Sequence, residues 1–320
     1  MLHNSQKPGQ NQTTLSLFIL LGFGDLPKLQ ILLFLLFLVI YLVTMAGNLL
    51  ILVLVVVDQQ LHTPMYFFLG NLSLLESCYS STILPKMLSS LVTGDKSIYV
   101  KMCFMQFFIF ACLGGVECYL LAVMSYDRYL AICKPLHYGV LMNRRLRFQL
   151  AAVSWISGVL VSTSLTLKVS QLSFCGPHEI DHYFCDSTPI INLSCSDTIL
   201  VELTAFIFAC VFTLPPFILT VASYSFIIVT ILRIPSSRGR RKAFSTCSSH
   251  LTVVALYYGT LMLVYMLPRT KNLRQVKKVS SLFYTVLTPM FNPLIYSLRN
   301  REVKEAMRKC LRRFISYMTL

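Results

Sequence analysis

Long apolar runs alternate with short polar connections along this chain. A transmembrane helix needs about 20 mostly apolar residues, and seven stretches qualify: 29–57, 63–91, 99–132, 148–168, 199–232, 243–266 and 276–298. The first contains ILLFLLFLVIYLVTMAGNLLILVLVVV without a charge. The second and third carry Glu76 and Glu117, and the seventh is interrupted by Asn292 and Pro293. A six-span alternative would make the seventh stretch a loop, but LFYTVLTPMFNPLIYSL holds no charged residue and reads as a span. No internal repeat, low-complexity tract or separate soluble domain interrupts the series, and the longest connection is 169–198. The pattern predicts an all-α integral membrane protein: an outer tail at 1–28, a seven-transmembrane helix bundle at 29–298, and a cytosolic helix and tail at 299–320.

Composition agrees. Of 320 residues, 55% are hydrophobic and 13% charged, against about 45–50% and about 25% in a soluble protein. Too little polar surface exists to cover a water-soluble body. The net charge of +15 then needs a location. Nucleic-acid binders set their basic face in a soluble polar surface, which this chain lacks, so no nucleic-acid partner is expected and membrane lipid is the natural counterpart. Loops 58–62, 128–147 and 233–242 with the tail from 299 hold 17 Lys and Arg; the N-terminal tail with loops 92–101, 168–198 and 267–278 holds 10. Basic residues accumulate on the cytosolic side, which puts the N-terminus outside. Five of the outer ten crowd at Arg269, Lys271, Arg274, Lys277 and Lys278, read as solubilising a loop rather than steering anionic ligands. The first 28 residues lack the apolar core of a cleavable signal peptide, so the first span is expected to direct insertion. Asn11 opens a glycosylation triplet in the outer tail, whereas the triplet at Asn71 lies inside a span, beyond a transferase's reach.

Polar groups within a span are costly and default to a functional reading. Glu117 lies 11 residues before Arg128, about 16 Å along a helix, which places it at the depth of Glu76. Asn48 and Asn292 join them from the first and seventh spans. One interior cluster is the cheapest arrangement for the four. It glues helices together, or its carboxylates hold a cation or proton that responds to conformation. Asp127-Arg128-Tyr129 closes the third span, and prolines 215, 216, 289 and 293 free backbone carbonyls where the fifth and seventh helices can bend. Cys103 lies 25 residues before Arg128, about 37 Å up the same helix, at the outer surface near the loop that holds Cys175, Cys185 and Cys195. Four cysteines allow three pairings, and spacing does not choose among them. The histidines are scattered and no phosphate loop or nucleophile constellation occurs, so no enzyme is expected.

Five segments carry a family likeness: LHTPMYFFLGNLS at 61–73, MSYDRYLAICKPLHY at 124–138, SY at 223–224, KAFSTCSSHL at 242–251 and PMFNPLIYSLRN at 289–300. In this order the chain resembles the rhodopsin-like G-protein-coupled receptors, and more closely the tetrapod-type odorant receptors. The resemblance implies disulfides Cys103–Cys185 and Cys175–Cys195, and a short amphipathic helix on the cytosolic side after the seventh span. It implies that Arg128 is released on activation to meet a G protein while Tyr224 and Tyr296 swing toward it. Asn292, Pro293 and Tyr296 match the NPxxY motif of such receptors, and Tyr258 stands where most carry a tryptophan switch. Many odorant receptors have Asp at the place of Glu76. No cofactor is implied beyond a sodium ion, for which Glu76 and Glu117 are the candidate seat; the longer Glu76 side chain narrows the room for it.

Phe110 lies 18 residues before Arg128, five turns up the same helix face, with Ala111, Gly114 and Gly115 beside it. The two glycines read as leaving room for a ligand. Receptors it resembles complete the cavity with Phe208 and Phe212 on the fifth helix, Tyr258, Leu261, Met262 and Tyr265 on the sixth, and Leu282 and Thr285 on the seventh. With no acidic residue on the inward face near Phe110, a protonated amine is disfavoured. A small, mostly apolar volatile with one or two hydrogen-bonding groups is the expected ligand. The resemblance implies an odorant receptor of the plasma membrane, ciliary if expressed in olfactory neurons, that activates a heterotrimeric stimulatory G protein and raises cyclic AMP. Two alternatives remain: the same fold with a non-olfactory ligand, and a transporter that uses the two carboxylates, although transporters usually show internal repeats.

Overall fold

The computed structural model describes residues 16–24, 27–175, 178–267, 270–299 and 301–318. Each apolar stretch forms a helix: α1 (Gln30–Val57), α2 (Pro64–Thr93), α3 (Val100–Cys133), α4 (Arg144–Ser170), α5 (Ile199–Leu232), α6 (Ser237–Leu261) and α7 (Lys271–Leu282). α6 runs on through a π-helical turn at Met262–Met266, and α7 through another at Phe283–Leu287 before resuming over Thr288–Arg299. Among the described residues α1, α3, α4 and α5 are long and apolar enough to cross a membrane, and His250–Met266 is a shorter apolar stretch. Ile31, Leu32 and Val56 of α1 and Leu200 and Ile218 of α5 point outward and are exposed. So broad an apolar surface fits lipid, not water.

Local chemistry sets the helix ends. Pro64 opens α2, where its missing N–H has no helical partner to lose. Gly94 ends it at a φ of 73°, a left-handed turn that spares glycine the Cβ clash. Asn143 caps α4 by accepting from the Leu146 N–H. α8 (Arg301–Met318) follows, burying Val303 and Ala306 while Glu302, Lys304 and Glu305 stay exposed. It is fastened by the Tyr66 hydroxyl, which donates to Glu302 at 2.6 Å.

α3 is the central helix, packed against α2, α4 and α5. Small residues let it touch α4: a Cβ added to Gly115 would lie 3.2 Å from the Gly158 Cα. The glycine read as leaving ligand space therefore also serves helix contact. α1 meets α7 where Gly47 abuts the Pro293 ring. Asn71 joins α2 to α4 by accepting from the Trp155 indole at 3.1 Å.

The tail before α1 is not featureless. Leu17–Leu20 forms β1, antiparallel to β2 (Ser97–Tyr99) and parallel to β3 (Glu179–Ile180). Phe18 and Leu20 turn inward while Leu17 and Ile19 face out, the alternation a strand requires. This small sheet covers one end of the bundle. Two disulfides organise the same end: Cys103–Cys185 ties the start of α3 to the 169–198 loop, and Cys175–Cys195 closes that loop on itself.

Candidate functional site

A cavity of about 590 Å³ opens between α3, α5, α6 and the loop. Phe110, Ala111, Gly114 and Gly115 line it from α3, Phe208 and Phe212 from α5, and Leu261 and Tyr265 from the end of α6. The Phe110 ring packs on Phe184 at 4.6 Å, Tyr79 at 5.3 Å and Tyr284 at 6.1 Å between centroids. That aromatic cluster sits at the junction of α3, α2, α7 and the loop.

Four residues expected in the cavity lie elsewhere. Tyr258 is fully buried and donates its hydroxyl to the Cys118 carbonyl at 2.6 Å, linking α6 to α3. Met262 and Leu282 pack into the apolar core instead. Thr285 is buried in a hydroxyl knot with Tyr183 at 2.9 Å, which also meets Ser281 at 2.8 Å. These four places rest on the resemblance; Met262 and Thr285 fall within the π-helical turns and Leu282 borders one, while Tyr258 lies a turn earlier in regular helix. Val264 and Met266, within the first π turn, face the cavity in their place.

Among the described residues no acid reaches the cavity from the α3 face that carries Phe110, but other elements bring acids to it, which removes the ground for disfavouring an amine. Asp186 lines the cavity at 4% exposure, and Glu202 and Lys277 also line it. Asp186 comes from the loop, which carries no helical periodicity from which its direction could be read. Tyr257, which no sequence pattern marks, donates its hydroxyl to the Gly114 carbonyl at 2.8 Å.

The loop is stapled to α7. Asp181 pairs with Arg274 at 2.8 Å and with Lys278 at 2.7 Å, so two of the five crowded bases hold the loop in place. Burial and the nearby Lys278 ammonium push the His182 imidazole down to a pKa of about 3, against a smaller upward pull from Asp181. Asn11 and Arg269 lie outside the described residues, as do the side chains of Lys271 and Tyr296.

Deeper in the bundle Asn292 donates its amide to Glu76, joining α7 to α2. Asn48 instead donates to the carbonyls of Thr44 and Pro289, each at 3.0 Å. Oε2 of Glu76, both carboxylate oxygens of Glu117 and Oδ1 of Asn292 are buried without a hydrogen-bond partner. At the far end of α3, Asp127 accepts from Tyr138 at 2.8 Å. Tyr129 packs on Phe226 of α5, and Tyr224 is hydrogen-bonded to Nδ1 of His250, closing α5 on α6.

A sequence profile described as olfactory receptor matches residues 37–313. The chain is 50% identical over 302 residues to olfactory receptor 10A7 of Homo sapiens, covering 94% of this chain and 96% of that protein. It is 49% identical over 304 residues to olfactory receptor 11L1 of Homo sapiens, covering 95% and 94%. Olfactory receptor 1M1 of Mus musculus is 47% identical over 307 residues, covering 96% and 98%.

Proposed function

The chain belongs to the olfactory receptor family, and from that premise we propose that it is an odorant receptor whose helices α1 to α7 all span the plasma membrane. Its N-terminus is outside and α8 lies on the cytosolic face; in sensory neurons its place is the cilium. The family is one of membrane receptors, not of enzymes. The ligand is a small, mostly apolar volatile, and the observation that carries this reading is the cavity of about 590 Å³, lined mainly by apolar side chains of α3, α5 and α6. A cleft of this size and lining suits a small molecule.

A volatile that binds the active arrangement better shifts the population toward it. α3 is one rigid element that carries Phe110 at the cavity and Arg128 at the opposite end. On activation Tyr224 leaves His250, and Tyr224 and Tyr296 turn toward Arg128. The cleft that opens between α3, α5 and α6 admits a heterotrimeric stimulatory G protein, and cyclic AMP rises. Exposed bases on this face, among them Arg144, Arg145, Arg240 and Arg241, lie against the anionic leaflet.

The unpartnered oxygens of Glu76, Glu117 and Asn292 fit a hard cation that takes oxygen ligands, and a sodium ion is the proposed occupant. When bound it supplies a positive charge that offsets the two buried carboxylates. Glu76 and Asn292, already joined across α2 and α7, would be among the residues that hold it.

A cyclic AMP reporter screened against a panel of volatiles tests the reading. At least one saturable response is expected, and Arg128→Ala abolishes it. A response that survives Arg128→Ala contradicts coupling through this helix end. Uptake of a labelled substrate into vesicles would favour a transporter instead.

A further inference from the structure

We propose that the Asp186 carboxylate, with Tyr265 beside it, is the group by which this cavity selects ligands that carry a hydrogen-bond donor, namely hydroxyl- and amine-bearing volatiles. The inference rests on the cavity being the ligand site and deepens that reading by naming the head group.

Asp186 is held in place from three sides. The preceding residue, Cys185, is bonded to Cys103 of α3, and its N–H donates to Oε1 of Gln106 at 2.9 Å. The Ser187 N–H donates to Oδ1 of Asp186 at 2.7 Å. The Tyr265 hydroxyl donates to the same oxygen at 3.1 Å and meets the Tyr284 hydroxyl, also at 3.1 Å. A carboxylate pinned in this way cannot swing aside when a ligand arrives. It is 4% exposed, and it borders space walled by Phe110, Phe208, Phe212 and Val264 together with the polar side chains of Thr188, Glu202 and Lys277.

A buried carboxylate is stabilised by each donor brought to it and destabilised by each acceptor. An ammonium or hydroxyl placed there forms a charge-assisted hydrogen bond, the strong kind. The oxygen of an aldehyde, ether or ester placed there sets lone pair against lone pair. The cavity therefore has a polar pole at the loop and a mostly apolar body along α3 and around Phe208 and Phe212 of α5, which orients the ligand with its head group toward Asp186.

Matched alkanols, alkylamines, aldehydes and methyl ethers of equal chain length, assayed by cyclic AMP at matched surface abundance, test this. The unmodified chain should answer alcohols and amines at lower concentrations than aldehydes and ethers. Asp186→Asn should raise the half-maximal concentration for the donors by about tenfold or more, the scale of one hydrogen bond to a charged group, and leave the others within about threefold. Asp186→Glu keeps the acceptor but moves it one methylene further, so donors stay active with their optimal length shifted by about one carbon. Agonists confined to aldehydes and ethers, or an equal shift for all four classes in both variants, would overturn the inference while leaving the receptor reading intact. Silence of the unmodified chain toward the whole series and every other volatile would overturn both.

Discussion

Asn48 donates its side-chain amide to the carbonyl oxygen of Pro289, 3.0 Å away. That carbonyl lies four residues before Pro293, whose nitrogen has no hydrogen to offer it. The seventh helix interrupts its own ladder and the first helix repairs it. Asn48→Leu leaves the buried carbonyl unpaired, at a cost on the order of 1–3 kcal/mol. The expected outcome is a lower melting temperature in nanodiscs. A melt equal to that of the unmodified chain would contradict this role.

The contact between α3 and α4 makes a second prediction. A Cβ on Gly158 would fall 2.5 Å from the Cys112 carbonyl oxygen, which belongs to backbone and cannot move aside. Gly158→Ala therefore pries the helices apart, with a loss of about 1–3 kcal/mol, as overpacking does. Gly139→Ala, with nothing within 4 Å of the added carbon, is the matched control. Surface abundance and thermal stability should drop for the first and hold for the second. Equal behaviour of the two would show that the close approach is dispensable.

Acid should loosen the 178–191 loop. His182 has a pKa of about 3 in the fold, against about 6.5 in an unfolded chain. Between these values the unfolded loop binds a proton that the folded loop refuses, so stability is full above about pH 6.5 and declines as pH falls toward 3. The buried Nδ1 has no partner, so the charged ring would find no acceptor there. Hydrogen exchange in this loop, corrected for intrinsic rates, should be faster at pH 5 than at pH 7.5, and His182→Phe should remove the difference. Equal protection at both values would contradict it.

The helices were legible in the sequence because a membrane-spanning helix needs an apolar run, whereas their exact ends, at Pro64, Gly94 or Asn143, are set by local capping. On α3 the inward face could be counted from Arg128 to Phe110, Gly114 and Gly115, since the winding between them is regular. On α6 and α7 the positions rested on the resemblance instead, and in this chain Tyr258, Met262, Leu282 and Thr285 are taken up by contacts between helices and with the loop. Asp186 and Tyr183 were beyond reach for a different reason. Their direction is set by the Cys103–Cys185 disulfide and by partners distant in sequence, Gln106, Tyr265, Ser281 and Thr285. No local pattern encodes those contacts. β1 was hidden because four residues, two inward and two outward, make too short an alternation to stand out from a polar tail.

The central claim is that the cavity beside Phe110 receives the ligand whose binding drives signalling, and Gly114 gives the most direct measurement of it. A methyl group there would lie 3.9 Å from the Tyr257 hydroxyl, an ordinary contact, so Gly114→Ala should be tolerated. Gly114→Leu should instead fill part of the space. Cyclic AMP dose-response curves for one volatile agonist, at matched surface abundance, should shift little for the alanine variant. For the leucine variant they should shift by about tenfold or more, the equivalent of 1.4 kcal/mol of lost binding. Unchanged curves for Gly114→Leu with every agonist would contradict the account.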